Sequence, residues 1–284
     1  MSITRVGIVG SGIMGSGIAE TAAVNGFEVV LRSRSQSTAD ATVAALEKSL
    51  NRQVDKGRLT AEARDEALSR VTATSNLADL KDADLVIESV VEDLAVKKEL
   101  FNELDRITAD SAILATNTST LPVVELAMQT GRPDKVCGVH FFNPAPVMSL
   151  VEVVRPITAS DETIAAARTF AEACGKTPVE VKDQAGFIVN ALLFPYLNNA
   201  VRLYEGGVAS IEDIDTAMKG GCGFPMGPFA LLDLVGLDTS LAILDALYDE
   251  FRDPNYAAVP LLRRMVAAEL LGRKSGQGFL DYRK

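Results

Sequence analysis

The sequence predicts an α/β fold: a doubly wound, mostly parallel sheet over residues 1–183, then an all-helical domain over residues 184–284. Three observations carry this. Short apolar runs alternate with helix-period stretches between residues 5 and 181, as they do in strand–helix–strand units. A glycine-rich turn follows the first of those runs. Beyond Asp183 the strand-like runs cease and helical patterns take over.

Arg5–Val9 is the first buried strand. Gly10, Ser11, Gly12, Ile13, Met14 and Gly15 follow, then a helical pattern through Ile18, Ala22 and Ala23. Gly10 permits the tight turn, Gly12 lets backbone approach a pyrophosphate, and Gly15 lets helix and strand pack closely. The helix N-terminus then offers amides and the positive end of its dipole to phosphate. Between a first strand and a helix, with a second strand at Glu28–Leu31, the motif marks a Rossmann-type dinucleotide site.

At the end of that second strand an NAD-type site carries an acid for the ribose 2′-hydroxyl. Here the chain reads Arg32–Ser33–Arg34, with no acid before Asp40. A small hydroxyl between two arginines suits a 2′-phosphate, so the sequence favours NADP(H) over NAD(H). NAD(H) still fits if the arginines are simply solvated.

Val43, Leu46, Leu50 and Val54 mark the buried face of a long helix, and Lys48, Arg52 and Lys56 fall together on another side. Further on come a helix after Thr60, a strand at Val71–Thr74 and a strand at Asp84–Val90. A helix buried through Val96, Leu100, Leu104 and Ile107 follows, then a strand at Ala112–Ala115. The last ends in Thr116–Asn117–Thr118–Ser119–Thr120, small polar residues at a strand's carboxyl end, where open α/β sheets bind ligands. Ser119 alone reads equally well as a helix cap.

His140 is the only histidine, so imidazole chemistry has one candidate. It follows the apolar run Val136–Val139; a loop with Pro144 and Pro146 comes next, then the run Leu150–Val154 carrying a lone carboxylate, Glu152. A buried carboxylate needs a partner, and the return strand can hold the imidazole in one tautomer. A helix at Asp161–Cys174 and a strand at Pro178–Val181 close the domain. In the second, Phe187–Tyr204 is apolar on nearly every side, which predicts burial against several neighbours, and so apolar a set of helices in this domain predicts a homodimer interface. A capped helix begins at Ser210.

With 28 basic against 38 acidic residues the net charge is −10, which repels nucleic acid and anionic membranes. Neither is expected as a partner, and an anionic substrate needs a local basic patch. Cys137, Cys174 and Cys222 form no metal spacing or disulfide framework, which fits a cytoplasmic protein; no metal, leader or membrane span is expected.

Taken together, these residues resemble the L-3-hydroxyacyl-CoA dehydrogenase family, and within it the short bacterial 3-hydroxybutyryl-CoA dehydrogenases, over nearly the whole chain. The resemblance rests on Gly10–Gly15, Val91–Glu92 with Lys97, Asn117–Ser119, His140–Pro144 through Glu152, Asp183–Asn190, Phe224–Gly227 and Lys274–Phe279. It implies a Rossmann domain, a helical domain, and reversible hydride transfer between C3 of an acyl-CoA and a nicotinamide. His140 is then the acid/base and Glu152 its orienting partner, while Ser119 and Asn190 bind the substrate. Glu92, Lys97, Asn143 and Lys274 contact the cofactor, and Arg52 and Lys56 contact coenzyme A. The family's usual aspartate falls at Ser33, and Ala191 stands where many relatives have arginine. Competing readings are a β-hydroxyacid or L-gulonate-type dehydrogenase acting on free acids, and a non-enzymatic crystallin-like or nucleotide-sensing protein.

Overall fold

The computed structural model describes residues 2–283, which form two compact units, the first ending at Asp183 and the second beginning at Gln184. In the first, the strands are β1 (Arg5–Val9), β2 (Glu28–Arg32), β3 (Val71–Thr74), β4 (Leu85–Glu88), β5 (Ile113–Thr116), β6 (Val136–Phe141), β7 (Leu150–Arg155) and β8 (Thr177–Lys182). They make one sheet in the order β3-β2-β1-β4-β5-β6-β7-β8. The helices are α1 (Ile13–Val24), α2 (Gln36–Asp55), α3 (Ala61–Ser69), α4 (Leu94–Ile107), α5 (Val123–Ala127) and α6 (Asp161–Ala173).

Strand order reverses between β1 and β4, so their carboxyl ends diverge into a crevice of the kind that binds ligands in open sheets. Every neighbouring pair is parallel except β6 with β7. The link from Phe142 to Ser149 is too short for the crossover a parallel return needs.

Burial follows the two-residue period of the strands. Val6, Ile8, Val29, Leu31, Leu85 and Ile87 pack with Ile18, Ala22, Leu46, Leu50 and Phe170 of the helices. The intervening Val86 and Leu114 are equally buried, with α4 and α5 against the strands of the other face. Strands covered on both sides read as continuous apolar runs, which is why they are visible in the sequence.

Two expectations shift. The strand expected over Asp84–Val90 ends at Glu88, because Ser89 and Val90 turn away beside the glycine loop. On α4 the buried face is Lys97, Leu100, Phe101 and Leu104, whereas Val96 is exposed. A charged residue thus takes a core position. The short helix α5 has no counterpart in the sequence pattern.

The second unit holds α7 (Val189–Glu205), α8 (Ile211–Cys222), α9 (Pro228–Val235), α10 (Leu237–Phe251) and α11 (Pro260–Ala267). Phe194, Leu197, Val201, Phe229, Leu232 and Leu244 are among its core. The sequence predicts α7 buried on nearly every side, but Leu192 is 72% exposed, and Leu203 and Tyr204 are also exposed. Its buried polar residue Asn198 donates to the Ala257 carbonyl at 2.9 Å and accepts from Val259 N–H at 3.0 Å.

Helices α5 and α9 begin at or next to proline and have no local side-chain cap. Each is capped instead by a distant carboxylate in its own unit. Asp183 accepts from the Val123 and Val124 amides at 2.9 and 2.7 Å, and Asp215 from the Phe229 and Ala230 amides at 2.8 and 3.1 Å. Losing an N-cap acceptor costs about 0.5–2 kcal/mol. Asp215→Ala is therefore expected to lower the stability of the helical unit by about 1–2 kcal/mol, read as a shifted urea midpoint at unchanged helicity in dilute denaturant.

Candidate active site

The glycine loop leaves β1 at the crevice. Gly10 has φ +114°, and a Cβ there would lie 2.2 Å from the Ser89 carbonyl oxygen; at Gly15 it would lie 1.9 Å from the Gly10 carbonyl oxygen. No other residue type fits either position. Gly12 faces open space, with nothing within 4 Å of where a Cβ would stand, and it offers α1 no side-chain cap. The first-turn amides of α1 therefore suit a phosphate, as the fingerprint requires. Ser11 and Met14 are partly buried, and Ile13 is exposed.

At the end of β2, Ser33 is buried and its amide donates to the Thr74 carbonyl at 2.9 Å. Its hydroxyl and the Arg32 Nε are buried donors without a hydrogen-bond partner, while Arg34 is exposed. Buried donors normally find acceptors, and these two have none among the described residues. Ser35 is the N-cap of α2, accepting from Thr38 N–H at 3.3 Å.

Two strands away, β4 ends in a buried polar cluster. Lys97 lies 2.7 Å from Glu88 Oε1 and 3.1 Å from Glu92 Oε2, with the Lys97 and Glu88 side chains 1% and 0% exposed. Removing one partner from a buried ion pair typically costs about 3–5 kcal/mol. The Thr116 hydroxyl donates to Glu88 Oε2 at 2.8 Å. Glu92 Oε1 accepts from the Thr118 hydroxyl at 2.5 Å, the Ser119 amide at 2.9 Å and the Ser119 hydroxyl at 3.3 Å. Burial pushes the Glu92 carboxyl up, but Lys97 and the Thr118 and Ser119 donors outweigh it and hold the group below the usual carboxylate range. Its outer edge stays open, the side chain being 39% exposed. Ser119 is no helix cap, since α5 starts after Pro122.

On β6 and β7, His140 and Glu152 are direct cross-strand partners, and His140 Nδ1 lies 2.8 Å from Glu152 Oε2. Both side chains are buried. The imidazole also packs on Phe142, with ring centroids 4.6 Å apart. The Asn117 side-chain oxygen accepts from the Phe141 amide at 2.8 Å, tying the end of β6 to that of β5. Asn143, exposed in the following loop, precedes a cis proline bond.

The sheet thus collects the glycine loop, the Glu92–Ser119 cluster and His140 along one carboxyl edge. The Lys48, Arg52 and Lys56 stripe lies elsewhere, exposed along α2; Lys56 is the residue just past the helix, and Arg52 Nε donates to the Lys48 carbonyl. In the helical unit, Asn190 is buried on α7, and the Lys274 ammonium pairs with Asp238 at 2.5 Å. Sequence reasoning missed Glu88 and the side-chain role of Asn117. Glu88 carried the same signal as Glu152, a carboxylate in an apolar strand. No signal marked Asn117, whose bond to Phe141 exists only once the strands pair. Among the described residues no group of histidine, cysteine and acidic side chains is arranged to hold a metal, and no helix is long and apolar enough to cross a membrane.

Comparison with known proteins agrees with this geometry. Residues 5–184 match the model of the 3-hydroxyacyl-CoA dehydrogenase NAD binding domain, and residues 186–282 match that of the 3-hydroxyacyl-CoA dehydrogenase C-terminal domain. The chain is 49% identical to a 3-hydroxybutyryl-CoA dehydrogenase of Clostridioides difficile, over 99% of this chain and 100% of that one. It is also 49% identical to a 3-hydroxybutyryl-CoA dehydrogenase of Mycobacterium tuberculosis, over 99% of each. The crystal structure of (S)-3-hydroxybutyryl-CoA dehydrogenase from Ralstonia eutropha superposes with a TM-score of 0.97 at 44% identity, covering 100% of both chains. With both domain models matched in order and such relatives aligned end to end, this chain belongs to the 3-hydroxyacyl-CoA dehydrogenase family.

Proposed function

We propose that the protein is a 3-hydroxybutyryl-CoA dehydrogenase, interconverting the 3-hydroxyacyl-CoA and acetoacetyl-CoA with a nicotinamide cofactor. The observation that carries this is the buried His140–Glu152 pair at the same sheet edge as the glycine loop. A bound nicotinamide supplies the hydride acceptor in one direction and the hydride donor in the other.

With Nδ1–H donating to Glu152, His140 presents Nε2 as its acid/base position. In oxidation His140 takes the 3-hydroxyl proton as the C3–H bond gives up its hydride, leaving a ketone. In reduction the imidazolium returns the proton to the developing alkoxide. Glu152 stabilises the imidazolium and keeps the ring in one orientation. Ser119 and Asn190 hydrogen-bond the substrate, and holding the reacting carbon in place converts binding into rate. Arg52 and Lys56 attract the coenzyme A phosphates, a local basic stripe on a chain of charge −10. Gly10, Ser11, Gly12, Ile13, Met14 and Gly15 cradle the pyrophosphate, while Glu92 with Lys97 behind it, Asn143 and Lys274 complete the cofactor contacts.

Within the nicotinamide class our reading is NADP(H) rather than NAD(H). It is supported by the missing acid at the end of β2 and by the two unpartnered buried donors of Arg32 and Ser33, with Arg34 alongside. We further read the exposed apolar side chains of α7, Leu192, Leu203 and Tyr204, as part of a homodimer interface. A reaction on free acids would leave Arg52 and Lys56 without a role, and a non-enzymatic protein would not need His140 and Glu152 paired.

Three measurements check these readings. His140→Ala is expected to lower kcat for acetoacetyl-CoA reduction by about 10²–10⁴-fold while cofactor binding, read by fluorescence, survives; wild-type turnover would exclude the imidazole. The unmutated protein is expected to prefer NADPH to NADH in kcat/KM, and Ser33→Asp to move that preference towards NADH; equal use of both by the unmutated protein would remove the 2′-phosphate site. In sedimentation at micromolar concentration the protein is expected to run as a dimer and Leu192→Asp as a monomer.

A further inference from the structure

Glu88 is the last residue of β4 and is wholly buried. Three donors converge on its carboxylate: the Val90 amide at 2.6 Å and the Lys97 ammonium at 2.7 Å on Oε1, and the Thr116 hydroxyl at 2.8 Å on Oε2. Lys97 reaches on to Glu92 at 3.1 Å, and the other oxygen of Glu92 takes both the amide and the hydroxyl of Ser119. A continuous chain of charge-assisted contacts therefore runs from the core of the sheet to a side chain at its open edge.

Holding β4 to β5 does not require this arrangement. The strands already pair in register from Leu85↔Ile113 to Glu88↔Thr116, and well-packed apolar residues at both 88 and 97 would avoid desolvating two charges. What the ion pair adds is direction. Lys97 is held between two carboxylates, so the placement of Glu92, whose outer edge faces solvent, is dictated from the buried side. Without Glu88, the ammonium would have one partner and the Glu92 side chain could follow it.

We propose that Glu88 is a positioning residue: through Lys97 it fixes Glu92, which in turn sets the Ser119 hydroxyl where the substrate oxygen is held. This rests on the reading of Ser119 as a substrate contact. Glu88 itself touches neither substrate nor cofactor, and its effect on rate passes through Ser119.

The test measures acetoacetyl-CoA reduction by Glu88→Gln and by the charge-balanced Glu88→Gln/Lys97→Met, each with and without Ser119→Ala. Folding is followed by thermal melting, and cofactor affinity by fluorescence of the reduced nicotinamide. The expected result is a folded protein whose kcat, read at saturating cofactor, falls about 10- to 100-fold; cofactor affinity is expected to weaken as well, because Glu92 is a cofactor contact. On the Ser119→Ala background the Glu88 change should add less than about twofold, because both act on one group. The double variant, with no charge left unpaired in the core, should regain stability but not rate. Multiplying losses, wild-type kcat in either folded variant, or failure of both variants to fold would each overturn the proposal in favour of a purely structural cluster. If Ser119→Ala alone leaves kcat unchanged, the Ser119 reading fails and this proposal with it. If Ser119→Ala costs rate but its loss multiplies with that of Glu88→Gln, only the positioning role fails.

Discussion

The antiparallel pairing of β6 with β7 is the constraint on which the candidate site turns. Directly opposed residues of such a pair project to the same face, so the register His140↔Glu152 delivers the carboxylate to the imidazole at 2.8 Å without any loop having to hold it there. A slip of one residue would send Glu152 to the opposite face. Gly138 helps to pin the register: it lies opposite Val154, and a Cβ at 138 would sit 2.6 Å from the Val154 Cβ. The same link that makes the return antiparallel, Phe142–Ser149, carries Asn143 and packs Phe142 on the imidazole.

The rest of the polar machinery obeys one rule of economy. In a sheet covered on both faces, polar side chains are tolerated where strands end and donors or acceptors become available. Glu88, Thr116 and His140 all lie at or next to the carboxyl ends of their strands, and each has a partner from a neighbouring element. Parallel order from β2 through β6 puts those ends on one edge, beside the glycine loop. The glycine loop and the His140–Glu152 pair thus share an edge for topological reasons, before any particular side chain is considered.

Aspartates wholly or partly withdrawn from solvent do comparable work for stability. Asp183 caps α5, Asp215 caps α9, and Asp233 accepts from the Phe279 and Leu280 amides at 2.9 and 2.8 Å, anchoring the C-terminal segment to α9. Burial pushes the Asp183 and Asp233 carboxyls up, and the amides they accept from pull them down only in part. Each sets desolvation of a charge against backbone groups that would otherwise be left without an acceptor.

By itself the sequence determined the strands of the first unit and its helices other than α5, the glycine loop, and the two residues, His140 and Glu152, that pair across β6 and β7. Each of these is a local pattern: a two- or 3.6-residue apolar period, a turn that only glycine can make, a lone polar residue in an apolar run. Tertiary structure alone decided that Lys97 belongs to the core, that Asn117 holds Phe141, that Ser119 is gripped by Glu92, and that distant aspartates cap α5 and α9. It also left one side of α7 exposed, where composition implied burial all round. The division has a physical cause. Periodicity records which way a side chain points from its own backbone, whereas a hydrogen bond or ion pair depends on which other element folding brings opposite it.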